Sequence, residues 1–175
     1  MYKNILVIGF GSIGSNFGKW ALGFDMNVYV YDPYVEKEKV KISGAIPVDN
    51  ISENLPKMDA VTLHCPKNDE TTDLFTKQEF DLMKKSSFII NCARGGILNE
   101  EDLYEALTRK KIAGAGLDVF DVEPTPSSIP LFKLNNVILS PHIAGVTVES
   151  TIRMATETVQ NVLDVLDDKI NQSVV

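Results

Sequence analysis

Three glycines, Gly9, Gly11 and Gly14, stand between the apolar run Ile5–Ile8 and an amphipathic stretch that begins at Ile13, in "NILVIGFGSIGSNFGKWALGFDMNVYVYDP". A glycine at each of these spacings has a definite use where a strand turns into a helix. Gly9 permits the tight turn, Gly11 lets the backbone approach a pyrophosphate, and Gly14 lets the helix lie close on the strand. Short, nearly continuous apolar runs recur at Val28–Tyr31, Ala60–Leu63, Phe88–Ile90, Ala115–Val119 and Val137–Leu139, as strands do when helices cover both sheet faces. Between and after them lie helical patterns. Ile13, Phe17, Trp20, Ala21 and Phe24 form one stripe expected to pack on the sheet, Asn99 opens a helix with three acids in its first turn, and Thr147 precedes a long stripe from Val148 to Leu166. The order predicts an α/β, Rossmann-type doubly wound parallel sheet, a single domain over residues 1–175.

The glycine turn has a second element. Asp32 follows about twenty residues on, at the tip of the second predicted strand, where a carboxylate accepts from both ribose hydroxyls of a dinucleotide and repels a 2′-phosphate. The next residues, Pro33, Tyr34 and Val35, bring no Arg or Lys, so the pattern favours NAD over NADP. The free amides and positive dipole at the start of the helix then face the phosphates. The plain alternative is a structural glycine turn followed by an Asp-Pro turn.

Composition narrows the partners. A net charge of −7 argues against nucleic acid and anionic membranes, which call for a cationic face. Lys37, Lys39 and Lys41 read as solvated surface. No apolar stretch approaches the ~18 residues that span a bilayer, and Met1 leads straight into a strand without a signal-peptide pattern, so a cytoplasmic location is expected. Cys65 and Cys92 have neither CxxC nor metal-ligand spacing, which points to reduced thiols packed as small apolar fillers and to no metal site.

Four further segments place polar groups just after predicted strands: "HCP" (64–66), "NCARGG" (91–96), "GLDVFDVEP" (116–124) and "SPHIAG" (140–145). In an open α/β sheet they converge on one crevice beyond the carboxyl ends of the strands. With the opening fingerprint, this ordered set resembles the D-2-hydroxyacid dehydrogenases, the family that includes D-3-phosphoglycerate dehydrogenase and hydroxypyruvate reductase, from about Asn4 to Asp168. The resemblance implies a catalytic set of Arg94, Glu123 and His142. Arg94 would grip the substrate carboxylate, His142 would exchange a proton with the C2 oxygen, and Glu123 would orient His142 and favour its charged form. It also implies cofactor contacts from Gly9, Gly11, Ser12, Ile13, Gly14, Asp32, Pro33, Pro66, Cys92, Ala93, Arg94, His142 and Gly145. Asp118 would hold the nicotinamide carboxamide, Cys65 would lie near the adenine-side ribose, and His64 would be a satisfied histidine whose loop lends backbone to the site. Taken singly, each has a bland rival: Arg94 paired with an acid, Glu123 solvated, His142 bonded to its own turn.

Full-length members of that family add a substrate domain, which residues 1–175 do not contain and which the tail Lys169–Val175 is too short to replace. The expectation is a chain that keeps catalytic residues and NAD affinity but turns over little alone. Its partners would be a small 2-hydroxy or 2-oxo acid and a second copy or a separate substrate domain, with no nucleic acid and no membrane. The alternative is a non-catalytic NAD-binding module that docks on a partner.

Overall fold

Seven parallel strands lie in the order β3-β2-β1-β4-β5-β6-β7 in a computed structural model that describes residues 2–169. The expectations for Met1 and for residues 170–175 of the tail lie outside the described residues. The strands are β1 (Asn4–Ile8), β2 (Asn27–Tyr31), β3 (Ile46–Pro47), β4 (Ala60–Leu63), β5 (Phe88–Asn91), β6 (Gly114–Leu117) and β7 (Val137–Leu139). Helices α1 (Ser12–Gly23), α2 (Lys37–Ile42), α3 (Lys77–Leu82), α4 (Glu100–Thr108) and α5 (Val148–Leu166) follow in chain order. The chain leaves β1 for β2 on one side and returns to β4 on the other. That reversal opens the crevice in which ligands of such sheets lie.

Residues cluster by compact contacts into two units, Met1–His142 and Ile143–Val175. The first holds the sheet and α1 to α4; the second holds α5, whose start is capped as expected, with Thr147 Oγ1 accepting from the Ser150 amide at 3.0 Å.

Alternation along the strands splits the core of the first unit in two. Leu6, Ile8, Val61, Leu63, Ile89 and Leu117 point to the side holding Phe75, Phe80, Leu103 and Leu107, all buried. Fully burying such side chains stabilises by about 1.5–3 kcal/mol each. Ile5, Val7, Val28 and Val30 point to the opposite side, against Ala21 and Val40 of α1 and α2.

One expectation holds only in part here. The face of α1 that meets the sheet is Gly14, Gly18 and Ala21, while Ile13, Trp20 and Phe24 are 72%, 65% and 81% exposed. The glycine turn brings the helix near the strand, so small residues lie at the closest approach, while Phe17 of the same stripe packs, partly buried, against this core. Phe88 and Ile138, on the α1 side of β5 and β7, are 51% and 80% exposed. The runs that become α2, β3 and α3 are too short for periodicity to reveal. The lysines of α2 are exposed and paired with acids, as in Lys37–Asp49.

Candidate functional site

The opening turn is built as its glycines require. Gly9 has φ +88°, and a Cβ there would sit 2.7 Å from the Cys65 nitrogen. A Cβ on Gly14 would lie 2.0 Å from the Gly9 carbonyl oxygen, so the third glycine is what lets α1 approach. A Cβ on Gly11 would meet nothing within 4 Å; the space in front of that backbone is open. Gly11 is the N-cap of α1 and gives it no side-chain cap, and no acid stands in the first turn. The leading amides, with exposed Ser12 and Ile13 beside them, point at a place suited to an anion.

Asp32 ties this turn to the neighbouring loop. Its Oδ2 accepts from the Phe10 amide at 2.7 Å and its Oδ1 from the Tyr34 amide at 2.9 Å, and each oxygen keeps a lone pair for a ribose hydroxyl. Gly9, Gly11, Asp32, Pro33, Cys65 and Pro66 line one cleft of about 220 Å³. This donor set fits a dinucleotide: open amides for a pyrophosphate at one end, a fixed carboxylate for a ribose at the other. His64 is hydrogen-bonded and packed within the fold. Its amide donates to Ile8 O at 2.7 Å, its Nε2 shares a 3.0 Å hydrogen bond with buried Thr62, and its ring lies 5.3 Å from that of Phe17. Burial pushes its pKa below 6.5. Cys65 is buried, and desolvation raises its thiol pKa.

The loops after β5, β6 and β7 form the other half. Glu123 Oε1 accepts from the Phe120 amide at 3.0 Å, and its Oε2 lies 2.8 Å from His142 Nδ1. These bonds, that with His142 foremost, hold the Glu123 carboxyl below its ordinary 4.5. An ionised carboxylate only accepts, so Nδ1 carries the hydrogen and donates, and Nε2 turns its lone pair or proton outward. His142 has φ +57°. Asp25, Lys110 and Asp168 share that conformation just past helix ends, where it is common. His142 ends no helix, and its amide, donating to Asp118 O at 2.7 Å, holds the strained turn. Asp118 is 3% exposed and accepts from Ser140 Oγ at 2.5 Å.

Contacts pass from loop to loop along the strand ends. The loop of Arg94 is shaped by Asn91, which accepts from the Ala93 amide and donates to Arg94 O. A Cβ on Gly95 would strike Phe120 O at 1.9 Å, so the Arg94 loop lies against the Glu123 loop. Arg94 is exposed; its Nη1 donates to Ala93 O at 2.6 Å, and no acid pairs with it among the described residues. Cys92 is exposed, which corrects its reading as an apolar filler: it lies one residue beyond the end of β5, where the chain has left the sheet. Partial desolvation and the Asp118 charge still raise its thiol pKa. Ala93 is half-buried. Gly145 belongs to the second unit, where its carbonyl accepts from Ser150 Oγ.

Sequence reasoning passed over Ser140 and Phe120. Ser140 shares a motif with His142, two residues away, and that adjacency was the available signal. Phe120 acts through its amide, which leaves no trace in residue type. Among the described residues no group of three His, Cys, Asp or Glu is placed to hold a metal, and no helix is long and apolar enough to cross a membrane.

Residues 1–144 match the family model for the D-isomer specific 2-hydroxyacid dehydrogenase, NAD binding domain. The chain is 41% identical over 173 residues to D-3-phosphoglycerate dehydrogenase of Methanocaldococcus jannaschii, covering 99% of this chain and 33% of that protein. It is 35% identical over 180 residues to glyoxylate reductase of Korarchaeum cryptofilum, across 99% of this chain and 53% of that one. D-Lactate dehydrogenase from Aquifex aeolicus, solved with NAD and lactic acid, superposes with a TM-score of 0.85 at 33% identity over 95% of this chain and 54% of its own. The chain thus spans between a third and just over half of the length of these proteins.

Proposed function

The chain belongs to the D-isomer specific 2-hydroxyacid dehydrogenases, of which it carries the NAD-binding domain, and from that premise we propose that it supplies the coenzyme site and acid–base pair of an oxidoreductase acting on small D-2-hydroxy acids, 3-phosphoglycerate and hydroxypyruvate being the model substrates. The observation that carries this reading is the 2.8 Å bond between His142 Nδ1 and Glu123 Oε2, which leaves Nε2 free.

Gly9, Gly11, Gly14 and the first amides of α1 hold the pyrophosphate of NAD, Asp32 and Pro33 its adenosine ribose, and the backbone of His64, Cys65 and Pro66 borders it. Cys92 and Ala93 support the far end, and Asp118 takes the carboxamide. Bound NAD(H) supplies the acceptor or donor of hydride. Arg94, with no acid paired to it among the described residues, takes the substrate carboxylate in a two-pronged grip. His142 Nε2 delivers a proton to the C2 oxygen during reduction and removes it during oxidation. Glu123 holds the ring in one tautomer and compensates its charge when the second proton is on. The His142 side chain is 47% exposed; water must be excluded before that transfer is efficient, and a substrate domain closing over the crevice does so.

Two free thiols fit a reducing, cytoplasmic setting. The exposed Trp20, Phe24 and Ile138 favour a covered state, by a substrate domain or a second copy, and they also lend support to a module that binds NAD and a partner without turnover. One experiment separates these readings: calorimetric titration of the 175-residue chain with NADH, followed by hydroxypyruvate and glyoxylate reduction with and without an added substrate domain. NADH uptake, little turnover alone and a rise when the domain is added support the enzyme. Uptake with no turnover in either case supports the module, and no uptake overturns both.

A further inference from the structure

A second carboxylate stands at the adenosine end of the cleft. Glu70 lies on the loop after β4, and Tyr34 on the loop after β2 donates its phenol to Glu70 Oε2 at 2.5 Å. Because β2 and β4 flank β1, this bond crosses over the glycine turn. Tyr34, Glu70 and Asp32 line the same cleft.

The loop beneath Glu70 is firm. Asn68 Oδ1 accepts from the amides of Glu70 and Thr71, both at 3.0 Å, and Thr71 Oγ1 donates to Pro66 O at 2.6 Å. Hydrogen bonding to Glu70, and then its charge, raise the Tyr34 pKa, so the phenol stays protonated and keeps donating. The two carboxylates differ in compensation. Asp32 accepts from two backbone amides, whereas Glu70 has the neutral phenol for its carboxylate. In the adjoining groove, which shares Asp32 and Pro33, the cation is Lys37, and Asp49 holds it at 2.6 Å.

We propose that Glu70 is a second determinant of coenzyme choice: held by Tyr34 across the cleft from Asp32, its poorly compensated negative charge excludes a ribose 2′-phosphate and tolerates a ribose 2′-hydroxyl. This rests on the NAD reading above. A phosphate monoester brings about two negative charges to the mouth, and repulsion between partly hydrated charges there is modest and screened by salt.

The test is the affinity of the 175-residue chain for NADH and for NADPH, the second by competition against the first, in ~0.1 M and ~1 M salt. Glu70→Gln is expected to tighten NADPH about fivefold at the lower salt and to move NADH less than about twofold. At ~1 M salt, where the screening length is about 3 Å, the gain should shrink below about twofold. Glu70→Asp, which keeps the charge, should retain wild-type selectivity. Equal shifts for both coenzymes, no shift for either, a gain indifferent to salt, or Glu70→Asp behaving as Glu70→Gln would each overturn the proposal. Failure of the wild-type chain to bind NADH is a different result; it overturns the NAD reading itself.

Discussion

His142 Nδ1 lies 2.8 Å from Glu123 Oε2 while the other oxygen of that carboxylate accepts from the Phe120 amide at 3.0 Å. The acid is thus fixed from both sides before it orients the ring. Its carboxyl is held below 4.5, mainly by His142 and then by Phe120. Removing the first cause in His142→Ala should bring the Glu123 titration part of the way back toward 4.5, as followed by side-chain carbon NMR. The sign for stability follows from linkage: a lowered folded pKa gives stabilisation that is full above the unfolded value and lost as pH falls through the folded one. The variant should therefore lose less stability than wild type in that acid window. An unmoved Glu123 titration would mean that the pair is not formed in solution.

Gly11→Ala and Gly14→Ala should fail in different ways. The added methyl at residue 14 meets the Gly9 carbonyl at 2.0 Å, so α1 must lift from β1. Overpacking of that kind costs about 1–3 kcal/mol or more, visible as a lower urea midpoint. At residue 11 the methyl meets no protein atom. Gly11→Ala should keep its stability within about 1 kcal/mol yet lose NADH affinity, because the methyl occupies the space a pyrophosphate needs. Equal destabilisation by both changes would contradict the division of roles between the two glycines.

The glycine spacing made the fold legible because Gly9 and Gly14 answer contacts within one short turn. The polar strand-end motifs were legible for a similar reason: parallel strands bring every carboxyl end to one edge. Three things were not. The stripe Ile13, Phe17, Trp20, Ala21, Phe24 has helical spacing whichever way it faces, and the structure divides it: Phe17 and Ala21 pack on the core, while Ile13, Trp20 and Phe24 are exposed around the close approach set at Gly14. The six-residue helices α2 and α3 have under two turns in which to show a period. The Tyr34–Glu70 bond joins residues 36 apart whose loops flank β1, a proximity set by strand order and invisible to local pattern.

His64 supplies a pH dependence of its own. Burial lowers its pKa below 6.5, so the folded chain resists a proton that the unfolded chain accepts. Its contribution is full above 6.5 and is lost as pH falls below that value, through the lower folded one. Urea unfolding at about pH 8, 6.5 and 5.5 should show the decline, a range above the Glu123 window. His64→Asn should flatten the slope. A wild-type curve level from pH 8 to 5.5 would place the ring in water, against its packing on Phe17.

Arg94 carries the last expectation. It is exposed, its bond goes to the carbonyl of the preceding residue, and no acid faces it among the described residues, so the fold draws little from its side chain. Arg94→Ala should leave unfolding free energy within about 0.5 kcal/mol of wild type. A forked guanidinium grips a carboxylate with two charge-assisted bonds, worth about 1.5–3 kcal/mol each, and those are lost. Reduction of a 2-oxo acid, assayed with a substrate domain present, should then fall at least about a hundredfold. Arg94→Lys keeps the charge but not the planar fork, so it should recover only part of that loss, chiefly in KM. Should Arg94→Ala instead lower stability by several kcal/mol, the guanidinium would be holding its own loop, and substrate recognition would have to lie with another residue.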